Sequence, residues 1–235
     1  MARSFTDVGK KMIERNQKSE GTPKKTPPLP VIRYFSSAFT KLILPLPISP
    51  NFITSASFGL GLAAAWSFSL GSQKLVIVGA ILFLLCYLLD NVDGEVARAK
   101  NQCTPFGAYF DTFVDWIVHA AFFIGLGWGA VAKTGDDIWL WFAGSAAAGA
   151  TINYVLSLFE IPDDDVTEET ASTSPSGFAQ WTAFLLRELF RADFCFLVLA
   201  LSLFDALHYL LAAAAVGAHA YWLIRSVKGA RNFHV

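Results

Sequence analysis

Apolar residues gather into six long runs along the chain, at about 51–71, 74–98, 107–132, 136–159, 190–205 and 206–227. Runs of this kind suit helices that cross the hydrocarbon core of a bilayer, so the pattern predicts six transmembrane helices. Little more than Asp205 divides the fifth run from the sixth. Upstream, Ile32, Phe35, Phe39, Leu42 and Ile43 recur at helical spacing, with Arg33, Ser36, Ser37, Thr40 and Lys41 between them. That stretch is too short to span and predicts an N-terminal amphipathic helix at the membrane interface, its basic residues near anionic headgroups. Pro45, Pro47 and Pro50 then break the chain. Residues 1–30 are polar, with Lys10, Lys11, Lys18, Lys24 and Lys25 and a proline-rich end, and read as a tail and linker with one helical stretch around 5–18. The expected organisation is a cytoplasmic tail at 1–30, an interfacial helix within 31–49 and a six-helix membrane domain over 50–230. The expected fold class is an all-α integral membrane protein.

Composition agrees with this pattern. Hydrophobic residues make up 54% of the 235, charged residues 16%, and the mean hydropathy is +0.45, more apolar than a soluble domain of this size. The net charge of −1 gives no sign of a nucleic-acid partner. The distribution of charge is more telling, because half of the eighteen Lys and Arg precede residue 50. The 98–106 loop, the 160–191 loop and the C-terminus hold most of the remaining basic residues. By the positive-inside rule both termini and the acidic cluster of residues 90–115 are expected to face the cytoplasm. The N-terminus has no signal-peptide pattern. Cys86, Cys103 and Cys195 are odd in number and lack metal-type spacing, so they read as reduced thiols. The longest connection carries Asp163, Asp164, Asp165, Glu168 and Glu169 and reads as a solvated acidic loop. After it, Phe178, Trp181, Phe184, Leu185 and Phe190, mixed with Arg187 and Arg191, predict a second interfacial helix.

The candidate chemistry lies where the second and third runs meet. Asp90 and Asp93 sit about 60° apart on a helical wheel, and Gly94 and Ala97 continue the same face. On the next helix Gly107, Asp111 and Asp115 recur at i, i+4 and i+8. Thr104 before Pro105 has the form of an N-cap followed by proline at the first helical position, which would launch that helix. Four carboxylates gathered at a membrane edge repel one another and are costly to desolvate unless cations neutralise them. An all-oxygen donor set of this kind suits Mg²⁺ or Mn²⁺. Gly94, Ala97 and Gly107 leave room on the acid-bearing faces for a ligand. Arg98 either meets a phosphate or snorkels to the headgroups. His119 continues the third-helix stripe one turn deeper, where it either tunes Asp115 or is simply packed and hydrogen-bonded. Glu95 points away from the Asp90 and Asp93 face and is expected to meet water or a loop.

The full string, D-x2-D-G-x2-A-R-x8-G-x3-D-x3-D over residues 90–115, resembles the signature of the CDP-alcohol phosphotransferase (CDP-alcohol phosphatidyltransferase) family at all eight fixed positions. The resemblance extends to the six runs, the N-terminal amphipathic stretch and the Pro50-Asn51-x-Ile53-Thr54 opening of the first run, and so covers roughly residues 31–230. It implies transfer of a substituted phosphoryl group from a CDP-alcohol donor to an acceptor hydroxyl, with release of CMP. By the same resemblance Asp90, Asp93, Asp111 and Asp115 would hold one or two Mg²⁺ or Mn²⁺ ions, and Asp115 would be the general base. Asn51, Thr54, Asp90, Gly94, Ala97, Arg98 and Gly107 would line the donor pocket, and the protein would form a homodimer among membrane lipids. The Arg191-Ala192-Asp193-Phe194 stretch is similar to members acting on phosphorylated polyols such as inositol phosphate, with Arg187 and Arg191 as acceptor-phosphate ligands. Lipid (diacylglycerol-type) or amino-alcohol acceptors share the same core motif. Two other classes compete. A divalent-cation transporter would need polar groups across the whole bilayer, whereas these acids collect at one face. An inactive membrane scaffold would not need the intact motif.

Overall fold

A computed structural model describes residues 31–159 and 193–232. The described residues form seven helices and no strands: α1 (Val31–Ile43), α2 (Pro50–Ser69), α3 (Gln73–Ala99), α4 (Pro105–Thr134), α5 (Ile138–Phe159), α6 (Phe194–Leu203) and α7 (Tyr209–Asn232). Three of them, α2, α3 and α4, are long and apolar enough to cross a membrane, which marks the chain as an integral membrane protein. Helix α6 has ten residues, and the apolar part of α7 is Tyr209–Ala220. The expected helices around 5–18 and 178–191 lie outside the described residues, as do Arg187 and Arg191.

Local chemistry sets the helix ends. Ser49 precedes Pro50, and the Ser49 hydroxyl accepts a hydrogen bond from the Phe52 N–H at 3.3 Å. Thr104 precedes Pro105, and its hydroxyl accepts from the Gly107 N–H at 3.0 Å. Each is a capped first turn with proline at the position where no N–H is needed. At the other end of α3, Asn101 takes φ 55° while the Gln102 N–H reaches the Ala97 carbonyl at 2.8 Å and the Asn101 N–H reaches Arg98 at 3.1 Å. This is the left-handed closure that asparagine tolerates better than most residues. Asp205, with φ 59°, closes α6 in the same way, its neighbour Ala206 bonding back to Leu201. The polar break read from the sequence is therefore a helix stop.

The chain divides into two compact units. The first contains described residues 31–57, 87–111 and 193–197, and its core is Ile53, Val92 and Val96 with Ile43, Ile48 and Leu89 packed around them. Helix α1 buries Ile32, Ser36 and Thr40 and leaves Val31, Tyr34, Phe35 and Leu42 exposed. The Lys100 ammonium donates to the carbonyls of Leu46 and Ile48 at 2.7 and 2.9 Å, fastening the proline-rich turn.

The second unit contains described residues 58–86, 112–159 and 198–232. Phe83 and Phe122 stack with centroids 4.7 Å apart, and Phe68 meets Phe122 edge-on at 5.4 Å. A β-carbon at Gly125 or Gly129 would collide with the carbonyl oxygens of Ala65 and Phe68, so these glycines permit close backbone approach between α2 and α4. Helices α5 and α7 meet at Gly149 and Ala218, where the Asn153 amide also donates to the Ala218 carbonyl at 3.4 Å. Nearby, Trp222 Nε1–H donates to His219 Nδ1 at 2.9 Å, which leaves the His219 proton on Nε2, facing Ser145 at 3.1 Å.

Candidate active site

Asp90 and Asp93 stand one helical turn apart near the end of α3, and Asp111 stands in the second turn of α4. Each offers a carboxylate oxygen, and the three oxygens lie within 4.8 Å of one another. Helical period brings the first two to one face. Asp93 is only 5% exposed and Thr54, on α2, only 3%. The Thr54 hydroxyl donates to Asp93 Oδ2 at 2.5 Å, a short hydrogen bond that fixes the carboxylate. Asp90 and Asp111 are half-buried. Three hard oxygen donors this close, one of them almost fully removed from water, fit a divalent cation of the Mg²⁺ or Mn²⁺ type. Three such carboxylates without a counter-charge would be strongly repulsive.

The small residues around the triad have identifiable neighbours. A β-carbon on Gly107 would come within 3.1 Å of the Thr104 hydroxyl and 3.3 Å of Asn51 Oδ1, so Asn51 lies directly against the start of α4. Gly94 lies beneath the Arg98 guanidinium, which a β-carbon there would approach to 3.2 Å. Ala97 is half-buried, and its carbonyl takes part in the closure of α3.

Asp115 belongs to the second unit. Its side chain is 56% exposed and lies 3.1 Å from His119 Nδ1. The same ring nitrogen lies 2.8 Å from the Asp115 backbone carbonyl. Carboxylate and carbonyl both only accept, so the proton sits on Nδ1 and the ring is fixed against Asp115.

Glu95 departs from expectation. It does face away from the Asp90 and Asp93 side, but it meets neither water alone nor a loop. The Ser36 hydroxyl donates to Glu95 Oε1 at 2.6 Å and the Thr40 hydroxyl to Oε2 at 2.7 Å. Asp193, at the entry to α6 as expected, also caps α1. Its carboxylate accepts from the Val31 and Ile32 N–H groups at 3.1 and 3.0 Å. The signal in the sequence was Ser36 and Thr40 at i, i+4 after Ile32, a neutral hydroxyl stripe beside the basic stripe of Arg33, Ser37 and Lys41.

Comparison with known proteins agrees with this geometry. A protein-family profile described as CDP-alcohol phosphatidyltransferase matches residues 47–219. Archaetidylinositol phosphate synthase of Pyrococcus horikoshii is 30% identical over 93 residues, which is 40% of this chain and 48% of that protein. CDP-diacylglycerol–serine O-phosphatidyltransferase of Helicobacter pylori strain 26695 is 28% identical over 107 residues, 43% of this chain and 44% of that protein. The chain thus spans less than half the length of these curated relatives. Among solved structures, Mycobacterium tuberculosis phosphatidylinositol phosphate synthase with CDP-DAG bound aligns with a TM-score of 0.51 and 21% identity, covering 80% of this chain and 91% of that one. At that identity the likeness speaks for the fold.

Proposed function

The chain belongs to the CDP-alcohol phosphatidyltransferase family, and on that premise we propose that it transfers the alcohol-bearing phosphoryl group of a CDP-linked donor to a phosphorylated polyol of the inositol phosphate type, releasing CMP. The observation that carries the reading is the convergence of Asp90, Asp93 and Asp111 within 4.8 Å in a chain that holds all eight positions of the family motif. These three residues and Asp115 would hold one or two Mg²⁺ or Mn²⁺ ions. Bound there, the ions supply positive charge against the donor diphosphate and the departing CMP.

The chain's own residues do the remaining work. Asp115 takes the proton of the acceptor hydroxyl as its oxygen bonds to the phosphorus that bears the donor alcohol. The bond from that phosphorus to the bridging oxygen then breaks, and CMP leaves. The proton on His119 Nδ1 keeps one oxygen of Asp115 occupied and the carboxylate oriented. Asn51, Thr54, Asp90, Gly94, Ala97, Arg98 and Gly107 line the donor pocket, with the Arg98 guanidinium, which lies against Gly94, as a phosphate ligand. Arg187 and Arg191 bind the acceptor's phosphate. Six spans over residues 50–230, an amphipathic helix at the interface, both termini and the site on the cytoplasmic face, and a homodimeric assembly complete the reading. The names of the inositol-type relatives support the acceptor. The serine-transferring relative favours a second reading, an amino-alcohol acceptor.

The deciding experiment is CMP release by the purified chain with Mg²⁺, crossing CDP-lipid and CDP-polyol donors with polyol-phosphate, amino-alcohol and diacylglycerol acceptors. Release only with a polyol phosphate, lost about 100-fold or more in Asp115→Asn, is the expected result. Release with serine instead would overturn the acceptor. Undiminished release in Asp115→Asn would remove that residue from the chemistry.

A further inference from the structure

Glu95 sits within the motif segment at a position that the motif leaves open, and its contacts give it a task. Both carboxylate oxygens are taken, one by each hydroxyl of the Ser36 and Thr40 pair. At 2.6 and 2.7 Å these are short hydrogen bonds. Both hydroxyl-bearing residues are buried, Ser36 completely. On the helical wheel Glu95 lies roughly 160° from Asp93, at about 100° per residue, so α1 is tied to the side of α3 opposite the acids. Thr54 holds Asp93 from the acid side. Helix α1 is itself fixed, its first N–H groups by Asp193 and the turn after it by Lys100.

The brace matters because of what lies in front of it. Asp90, Asp93 and Asp111 are pressed together and repel one another. A slight roll or fraying of the last turns of α3 would relieve that repulsion and separate the oxygens. A clamp on two sides prevents the roll. We propose that Glu95 is a positioning residue that, through Ser36 and Thr40, holds the acid-bearing end of α3 in the arrangement that binds divalent metal. The inference rests on the reading of the triad as a metal site.

The test is direct Mn²⁺ binding, followed by electron paramagnetic resonance, on the full chain in lipid nanodiscs. The variants are Glu95→Ala, the pair Ser36→Ala/Thr40→Ala, and all three changes together, with thermal unfolding recorded alongside. Groups bonded directly to metal ligands change metal affinity by about 10- to 100-fold; acting one step further out, each of the first two variants is expected to weaken Mn²⁺ binding by about 10-fold. The triple variant should be no weaker than either, since all three changes break one contact. Glu95→Gln, equal in length and retaining one accepting oxygen, should recover most of the affinity. At saturating metal, kcat should change little. A purely structural Glu95 would lower thermal stability and leave the affinity of the folded protein alone; that result, or additive losses in the triple variant, overturns the proposal. Should Glu95→Ala fail to fold, the Ser36→Ala/Thr40→Ala pair decides by the same criterion. Absence of Mn²⁺ binding in the unaltered chain would overturn the metal-site reading itself, whereas binding that is equal in every variant would overturn only the brace.

Discussion

The unit that contains Asp90, Asp93 and Asp111 and the unit that contains Asp115 are built from different kinds of contact. In the first, polar side chains make the long reaches: Thr54 to Asp93, Ser36 and Thr40 to Glu95, Asp193 to the start of α1, Lys100 to two carbonyls. In the second, polar reaches such as Gln73 to Ser202 and Asn153 to Ala218 are joined by close apolar packing, with Phe68, Phe83 and Phe122 clustered and with glycines where α4 approaches the α2 backbone. Apolar helix faces gain little from each other in lipid, so close backbone approach is the way such helices associate. Carboxylates gathered for a cation need fixed partners that hold them without cancelling their charge, and neutral hydroxyls meet that need. On the proposed reading, the first unit carries three of the four metal-binding acids, and the second supplies Asp115 from a closely packed helix.

Three substitutions press on this contrast, in decreasing order of expected effect. Asp93→Asn leaves an oxygen for Thr54 to donate to but removes a ligand charge. Activity should fall by at least ~1,000-fold, the equivalent of several kcal/mol of charge stabilisation, with the thermal unfolding midpoint little changed. A Mg²⁺ titration of CMP release checks it, and near-normal turnover at saturating metal would break the assignment of this unit to binding. Gly129→Leu should do the reverse. It forces a side chain into the Phe68 carbonyl and should cost about 3 kcal/mol or more of stability, read as earlier thermal unfolding in nanodiscs. An unchanged midpoint would mean that the close approach is not what holds the second unit. Thr104→Ala removes only the cap of α4 and should cost about 1 kcal/mol, seen as faster hydrogen exchange confined to the first turn.

Local features were the ones legible in the sequence. The Thr104-Pro105 start, the Asp205 stop and the pairing of Asp90 with Asp93 follow from rules that act within a turn or two of chain. The pairing of Glu95 with Ser36 and Thr40 does not, because it joins residues more than fifty positions apart. Helix α1 illustrates a second limit. Periodicity reveals which residues share a face but not what medium the face meets. Beside a membrane an apolar face is free to turn outward, and α1 buries Ser36 and Thr40 while Val31, Tyr34, Phe35 and Leu42 stay exposed.

The short connection between α3 and α4 has a consequence for how the protein is made. It is closed at one end by Asn101 and at the other by Thr104, so its reach is set by a few residues of defined conformation. The three triad acids all fall within residues 90–111, and bringing them together requires closing only this small loop, at little entropic cost. The acids can therefore meet early, as soon as the third and fourth helices have been synthesised, before the C-terminal helices exist. Their mutual repulsion then acts on a nascent chain. A divalent cation available at that moment would serve the folding of the protein as well as its chemistry.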